Sequence, residues 1–319
     1  MVKLAVLACA TACTQGLPAP VVIADVARGV AATADGSVVW IEPHATFDFA
    51  LVQRAPDGTT SVLDHAGFAP EFGSSFVMVG DDGIVWGLRA AFTSCGQMRI
   101  ATPNGGRTIS FPDVAICDAV PLDQRNGTLL FAYATDGGPA TGEDGAVAID
   151  RVELATGLRQ PMQVTDGTLV ATVRGDLEVF VAIHQIAGTY VAAGDRARFN
   201  YSQGPLGMAA RFAGLTVIGD QPYWVDEGVG HDPVQVLTSG SMPVADLGGV
   251  TPLGLVAVGD QLWTAVGSAL VHIDPAGGEP ISLETAFPEI PLAASGDSLL
   301  VSSTAQGDPR LFLQSLSPY

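Results

Sequence analysis

Positive charge is scarce in this sequence. Only 14 of its 319 residues are Lys or Arg, whereas 33 are Asp or Glu, so the formal net charge is −19. Nucleic-acid binding needs a basic patch or stripe, and adsorption to an anionic lipid surface depends on positive charge in the same way. We therefore expect no nucleic-acid partner and no direct adsorption to such a surface. The surplus of carboxylates serves mainly to keep the chain soluble.

Long apolar runs are also missing. Hydrophobic residues make up 48% of the chain, but no segment approaches the roughly 20 consecutive apolar residues that a membrane-spanning helix needs. The apolar residues occur in many short runs instead, which is typical of an all-β protein with a large core. No linker or shift in composition interrupts these runs, so one large all-β domain accounts for most of the chain.

Recognisable catalytic motifs are absent as well. The sequence contains no HExxH, no GxSxG, no Walker-type phosphate loop and no acidic loop of the EF-hand type. We therefore assign no catalytic residue, no metal site and no cofactor from motifs. Whether the protein is an enzyme is left open, with a preference for a protein that is not one.

What the sequence does contain is a repeat. A tight turn of Gly with Asp or Asn is followed by a short apolar strand with an aromatic residue near its centre, and this device occurs seven times. The anchor positions are Trp40, Trp86, Phe131, Phe180, Trp224, Trp263 and, in a degenerate last copy, Val301. Successive anchors are 38 to 49 residues apart. Repeats of about 40–50 residues with several short strands are typical of β-propeller blades.

Each repeat accommodates four strands. A second turn follows the first by about 20 residues, as at Asp57-Gly58 and Gly277-Gly278. The strands are apolar on both faces, as expected for sheets stacked face to face around an axis. The last repeat lacks an outer strand, which residues 21–26 can supply, and pairing of the chain ends closes the ring and covers its sheet edge.

The predicted fold is therefore a single all-β propeller of seven four-stranded blades, with six as the alternative. Residues 1–19 are assigned to a signal and tether, and residues 20–319 to the propeller. The approximate blade boundaries are 28–66, 74–113, 114–165, 166–213, 214–247, 252–286 and 288–319 together with 20–27.

The N-terminus resembles a bacterial lipoprotein signal. Lys3 precedes a short apolar run, and small residues then lead to Cys13. This resemblance implies cleavage before Cys13, a lipid on that cysteine and a location in the bacterial cell envelope, facing the periplasm or at the cell surface. Cys9 is a second candidate for the lipid. An ordinary cleaved signal or an unprocessed tail is the alternative.

Two further cysteines, Cys95 and Cys117, lie in the predicted loop of the second blade and at the entry to the third. Adjacent blades can bring them together, and an envelope location permits a disulfide bond. Two separate buried thiols are the alternative, since the spacing does not suggest a metal site.

Polar residues are concentrated in the predicted loops between the second and third strands, which converge on one face of a propeller. These candidate binding residues are Glu42, His44, Asp48, Arg89, Asp136, Glu143, Asp144, His184, Asp226, His231, Asp232 and Asp308. Imidazoles and carboxylates from different blades are able to hold a divalent metal at the channel mouth. Solvated loop tips are the alternative interpretation. His65 and His272 lie elsewhere and are interpreted as structural residues, as are the aspartates of the repeated turns.

Tyr223-Trp224-Val225-Asp226 resembles the YWTD signature of a class of propellers. The repeated Gly-Asp and Gly-Gly turns are similar to those of bacterial envelope lipoproteins with propeller repeats, TolB-like or YWTD-like. This resemblance implies a binding scaffold and transfers no catalytic residue. We thus expect a monomeric, lipid-anchored, non-enzymatic propeller that binds another envelope or extracellular protein and contacts the membrane only through its lipid. A hydrolase or lyase with a metal or polar site at the channel mouth, and a structural lipoprotein without a ligand, are the alternatives.

Overall fold

The computed structural model describes residues 17–45, 48–67, 72–90, 97–102, 105–110, 119–135, 145–196, 206–229, 233–285, 289–303 and 310–316. These residues form seven antiparallel sheets of four strands each, arranged in a ring. The predicted seven-bladed propeller is confirmed. Among the described residues there is no helix long and apolar enough to cross a membrane.

The blades are numbered in chain order, and their strands are given from the innermost to the outermost. Blade 1 contains β2 (Arg28–Ala32), β3 (Val38–Ala45), β4 (Asp48–Arg54) and β5 (Thr60–Gly67). Blade 2 contains β6 (Phe72–Val79), β7 (Ile84–Ala90), β8 (Gln97–Thr102) and β9 (Gly105–Ser110). Blade 3 contains β10 (Val120–Arg125), β11 (Thr128–Ala134), β12 (Ala146–Glu153) and β13 (Arg159–Asp166). Blade 4 contains β14 (Thr168–Arg174), β15 (Glu178–Gln185), β16 (Gly188–Asp195) and β17 (Gly207–Ala209).

The remaining three blades complete the ring. Blade 5 contains β18 (Phe212–Ile218), β19 (Gln221–Asp226), β20 (Val234–Thr238) and β21 (Met242–Gly248). Blade 6 contains β22 (Leu253–Val258), β23 (Gln261–Val266), β24 (Ala269–Ile273) and β25 (Ile281–Glu284). Blade 7 contains β26 (Ile290–Ser295), β27 (Ser298–Ser303), β28 (Arg310–Ser315) and, outermost, β1 (Val21–Ala24).

Closure of the ring follows the predicted scheme. β1 pairs antiparallel with β28, with Val21 opposite Leu313 and Val22 opposite Phe312. Each innermost strand also contacts the innermost strands of both neighbouring blades, including β26 with β2 across the closure. The N-terminal strand therefore completes the last blade, and the ring is continuous.

The repeated aromatic residues form the cores between blades. All seven anchors lie in the second strand of a blade and are at most 2% exposed. Trp224, for example, packs with Ala182 and Val191 of blade 4 and with Leu237 of its own blade. Six of the seven anchors, all except Phe180, belong to clusters with residues of two adjacent blades, so the packing that stabilises one blade depends on the next blade being folded.

The turn aspartates also join neighbouring blades. The Asp220 carboxylate accepts hydrogen bonds from the backbone amides of Leu177 (2.8 Å) and Glu178 (3.2 Å) in the corresponding turn of blade 4. Asp82 accepts one from the amide of Gly127 in the turn of blade 3, at 2.8 Å. For these two aspartates the predicted structural role holds and extends to the adjacent blade, whereas Asp35 accepts a hydrogen bond from the Ser37 amide within its own turn.

The connections divide into two faces. We call the end with the connections between first and second strands the turn face, where these connections have two to five residues. Connections between second and third strands lie at the opposite end, the loop face. In blades 2, 3, 5 and 7 they are 91–96, 135–145, 227–233 and 304–309, between six and 11 residues each. On the turn face, long connections join the third and fourth strands of two blades, 196–206 in blade 4 and 274–280 in blade 6.

Every blade shows the same irregularity in its innermost strand. The register between first and second strands shifts in all seven blades, near the loop-face end of the innermost strand. In blades 1 and 6 the extra residue is a glycine with positive φ, Gly29 (56°) and Gly254 (67°). A bulge of this kind bends a strand and leaves one residue outside the ladder. The channel wall is therefore kinked at the same level all round.

Candidate functional site

Five of the predicted binding residues have described side chains, and the structure places them within strands. Glu42 and His44 belong to β3, Asp48 to β4, His184 to β15 and Asp226 to the end of β19. The expectation that they lie in loops is corrected, because these strands continue almost to the loop-face ends of their blades. In blade 1, for example, only residues 46–47 separate β3 from β4.

The remaining predicted positions cannot be placed by their side chains. Arg89 lies in β7 and is described by its backbone alone. The positions outside the described residues are Asp136, Glu143, Asp144, His231, Asp232 and Asp308 of the binding set, together with Cys13, Cys95 and Cys117. The lipidation site, the disulfide bond and these binding residues stay predictions.

The two described histidines of the predicted set each have a partner within their own blade. The His44 ring lies 5.4 Å from the His65 ring in blade 1, and His184 Nδ1 lies 3.1 Å from Thr189 Oγ1 in blade 4. Blades 1 and 4 are not neighbours in the ring. In the described ranges, no group of three or more His, Cys, Asp or Glu is placed to hold a metal ion. A site shared with His231 stays a prediction.

The two histidines interpreted as structural differ from each other. His272 lies in β24, with Nε2 2.8 Å from Gln261 Oε1, and burial lowers the pKa of its imidazole. The structural interpretation is confirmed for this residue. His65 is wrongly interpreted, since it is exposed in β5 beside His44.

A cavity of about 200 Å³ lies along the innermost strands of blades 2, 3 and 4. Its lining comprises Ser75, Phe76, Val120, Leu169, Val170, Ala171 and Thr172. The lining side chains are apolar except for two hydroxyl groups, and none of them carries a charge. It lies beside the register shifts of β6, β10 and β14, which bend these strands around it. No pattern in the sequence predicted this cavity, because it depends on how three separate strands meet.

A buried ion-pair network lies at the turn-face side of the same three blades. Asp123 in β10 is 1% exposed and accepts two hydrogen bonds from Arg196, at 3.0 Å from Nε and 2.8 Å from Nη2. Arg174 Nη1 is 3.2 Å from the same carboxylate, and Asp81 lies 3.1 Å from Arg196 Nη2. The hydrogen bonds to Asp123 raise the pKa of the Arg196 guanidinium.

This network has the composition of a structural element. Two arginines and two aspartates balance in charge, and together they connect the turn of blade 2, the innermost strand of blade 3 and two segments of blade 4. Arg174 ends β14 two residues beyond Thr172, which lines the cavity. The network thus forms the turn-face end of this part of the channel wall, and the cavity lies towards the loop face.

Glu289 is a buried carboxyl group immediately before the innermost strand of blade 7. It is 2% exposed, and neither carboxylate oxygen has a hydrogen-bond partner among the described residues. Burial raises the pKa of this carboxyl group from 4.5 to about 7. Sequence reasoning did not single it out, since an isolated glutamate beside a strand usually faces solvent.

The raised pKa predicts a pH-dependent stability. Between about pH 4.5 and 7 the folded protein keeps a proton on Glu289 that the unfolded chain has lost, so the free energy of unfolding falls as pH rises through this window. Glu289→Gln removes the ionisation. We expect it to stabilise the protein above pH 7, by an amount on the order of 3 kcal/mol at most, and to have little effect at low pH.

Urea unfolding at several pH values measures this difference. Glu284→Gln, at an exposed position in β25, is the matched control and should leave the pH profile unchanged. If the free energy of unfolding varies with pH in the same way for Glu289→Gln and the parent protein, Glu289 is ionised in the folded state like an ordinary surface carboxylate, and the prediction is wrong.

Comparison with known proteins yields the fold. No protein-family model and no curated protein matches the sequence. Among solved structures, an oligogalacturonate lyase in complex with manganese has a TM-score of 0.65 at 11% identity, with 92% of this chain and 90% of that one covered. An oligogalacturonate lyase from Vibrio parahaemolyticus has a TM-score of 0.66 at 8% identity, with 94% and 92% covered.

A puromycin-hydrolyzing peptidase from Mycobacterium tuberculosis has a TM-score of 0.60 at 14% identity, with 94% of this chain and 54% of that one covered. At such identities a structural likeness carries the fold and nothing finer about substrate or residues. The resemblance to propeller proteins that the repeats indicated is thereby confirmed at the level of the fold. This chain is a seven-bladed β-propeller.

Proposed function

We propose that this protein is a non-enzymatic, lipid-anchored β-propeller of the bacterial cell envelope that binds another protein on its loop face. The observation that carries the proposal is that long connections are more numerous on the loop face than on the turn face. Connections of six to 11 residues join second and third strands on the loop face of four blades, whereas connections of such length occur on the turn face of two blades, 196–206 and 274–280. Long connections on a rigid scaffold are where binding residues are concentrated.

The described residues of the loop face are consistent with a contact surface. The β3 strand ends in four consecutive exposed residues, 42–45, which include a carboxylate and an imidazole. His184 is exposed at the corresponding end of β15. The inter-blade network of Asp123 and Arg196 lies towards the turn face, and its charged groups are engaged with one another.

An enzyme is the second possibility that the sequence left open. Two of the similar structures are oligogalacturonate lyases, one of them in complex with manganese. This likeness is one of fold, and the fold hosts both enzymes and binding proteins. The hydrolase or lyase alternative thus stays a prediction that depends on His231 and the other candidate residues outside the described ranges.

Site-directed photo-crosslinking in the bacterium that produces the protein tests the proposal. A photoreactive amino acid is placed at His44 or His184 on the loop face, and at Asp57 or Thr156, which are exposed on the turn face, as controls. We expect a discrete crosslinked adduct from the loop-face positions and none from the turn-face positions. Mass spectrometry of the adduct identifies the partner.

Membrane fractionation tests the lipid anchor separately from binding at the loop face. A Cys13→Ser variant should leave the membrane fraction if Cys13 carries the lipid, whether or not a partner binds. Equal adducts from both faces, or adducts from the turn face alone, would contradict binding at the loop face. A Cys13→Ser variant that stays in the membrane fraction would contradict the anchor.

A further inference from the structure

Two exposed histidines lie side by side on blade 1. His44 belongs to β3 and His65 to β5, and both side chains are exposed. Their ring centroids are 5.4 Å apart, and the ring planes are inclined at 64°. The two residues come from strands that do not pair with each other, since β4 lies between them.

The register explains why the rings meet. Glu42 pairs with Ala50, and Ala50 pairs with His65, so these three residues share one face of the blade. His44 lies at the register shift between Pro43 and Ala45, two residues beyond Glu42. The two histidines therefore meet diagonally across β4, beside Ala50, which is buried. Since alanine has no side chain beyond Cβ, the imidazoles can lean towards each other across the middle strand.

The spacing of the rings suits a shared metal ion. Zinc binds imidazole nitrogen at about 2.0–2.1 Å in a tetrahedral arrangement, which places the centroids of two coordinating rings about 5 Å apart. The observed 5.4 Å is close to that value. Two neutral imidazoles repel each other little and bind zinc, copper or nickel readily.

We propose that His44 and His65 form a two-histidine site for Zn²⁺ on the flank of blade 1. In the described part of the chain no group of three or more such ligands is present, so water completes the coordination and the ion is exchangeable. The Glu42 carboxylate on the same face accepts a hydrogen bond from Trp40 Nε1 at 3.3 Å. This site differs from the channel-mouth site that the sequence suggested, because both ligands come from one blade. It does not depend on the loop-face partner.

Isothermal titration of the purified chain with Zn²⁺, in a chelator-free buffer at neutral pH, tests the site. We expect the chain to bind one equivalent of Zn²⁺ saturably. His44→Gln and His65→Gln should each lower the affinity for this ion by at least about tenfold, because each variant removes one of two protein ligands. His184→Gln removes another exposed histidine and should leave this equivalent unchanged. Binding should also weaken on acidification, because protons compete with zinc for the imidazole nitrogens.

Co²⁺ in place of Zn²⁺ separates this site from the four cysteines of the chain. The Co²⁺ ion that the parent protein binds and the His44 and His65 variants do not bind should show visible absorption. Its spectrum should lack the intense near-ultraviolet band of cobalt–thiolate bonds. Zinc titrations that are the same for the parent and for His44→Gln/His65→Gln would overturn the proposal. A thiolate band on the equivalent that these variants remove would overturn it as well. Because both histidines are exposed, the variants should keep the parent melting temperature, which thermal unfolding verifies.

Discussion

Asp123→Ala should lower the free energy of unfolding by about 3–5 kcal/mol, because it leaves a buried arginine without its main counter-ion. The Arg196 side chain is 10% exposed and directs both Nε and Nη2 at the Asp123 carboxylate. After the substitution, Asp81, whose side chain is 48% exposed, is the one anion that pairs with it among the described residues. Urea unfolding followed by circular dichroism measures the loss.

Two further variants separate the cost of an unpaired charge from the value of the ion pair. Asp123→Leu combined with Arg196→Leu removes both charges, and we expect it to recover much of the stability, since burying two charges is itself expensive. Asp25→Ala breaks a pair with Arg310 at 3.8 Å whose side chains are 83% and 44% exposed, and it should cost less than about 1 kcal/mol. A loss below about 1 kcal/mol for Asp123→Ala would show that Arg196 reaches solvent or another anion.

Trp224→Ala should also cost about 3–5 kcal/mol, because it opens a cavity between blades 4 and 5. The indole is 0% exposed. Gly207 in the outermost strand of blade 4 packs so closely that a Cβ there would lie 2.5 Å from the Trp224 ring. Trp224 thus contacts blade 4 from its second strand, at Ala182, to its outermost strand, at Gly207. A loss under about 1 kcal/mol in urea unfolding would contradict its role as a core residue of the blades.

Trp224 and Trp86 differ in the hydrogen bonding of their indole N–H groups. The Trp224 indole N–H has no hydrogen-bond partner among the described residues, whereas the Trp86 N–H donates to Asp64 of blade 1 at 2.9 Å. Trp→Phe at either position removes similar apolar area, but at Trp86 it also removes a hydrogen bond to a charged group. We expect Trp86→Phe to cost about 1–3 kcal/mol more than Trp224→Phe. Equal costs would mean that the bond to Asp64 contributes nothing.

The repeat pattern predicted the fold because its determinants are local. Each Gly-Asp or Asn-Gly turn and the aromatic residue that follows it lie within about ten residues, and turn chemistry with strand patterning acts over that distance. Blade count, four strands per blade and closure through β1 all follow from these local signals.

The site residues were less predictable because they depend on contacts between distant parts of the chain. Asp123 and Arg196 are 73 positions apart and belong to different blades. His65 meets His44 diagonally across β4, beside the buried Ala50 that pairs with His65, and this contact depends on register. The aspartates of the repeated turns were assigned correctly to structure, but their bonds to the adjacent blade require the ring. Contacts between residues of different blades depend on how the blades pack, and a single sequence does not show which residues will meet.

The start of β1 determines how an anchored molecule would be oriented. Gln314 Nε2 donates to the Pro18 carbonyl at 2.9 Å, and Leu17 packs on the core between blades 6 and 7, at the end of β28 that adjoins the Asp297 turn. Residues 14–16 alone separate Leu17 from Cys13, a reach of at most about 15 Å when fully extended. With the proposed lipid on Cys13, the propeller would stand on its turn face at the bilayer. Its loop face would point away from the membrane, so a partner would approach from the aqueous compartment and not along the lipid surface.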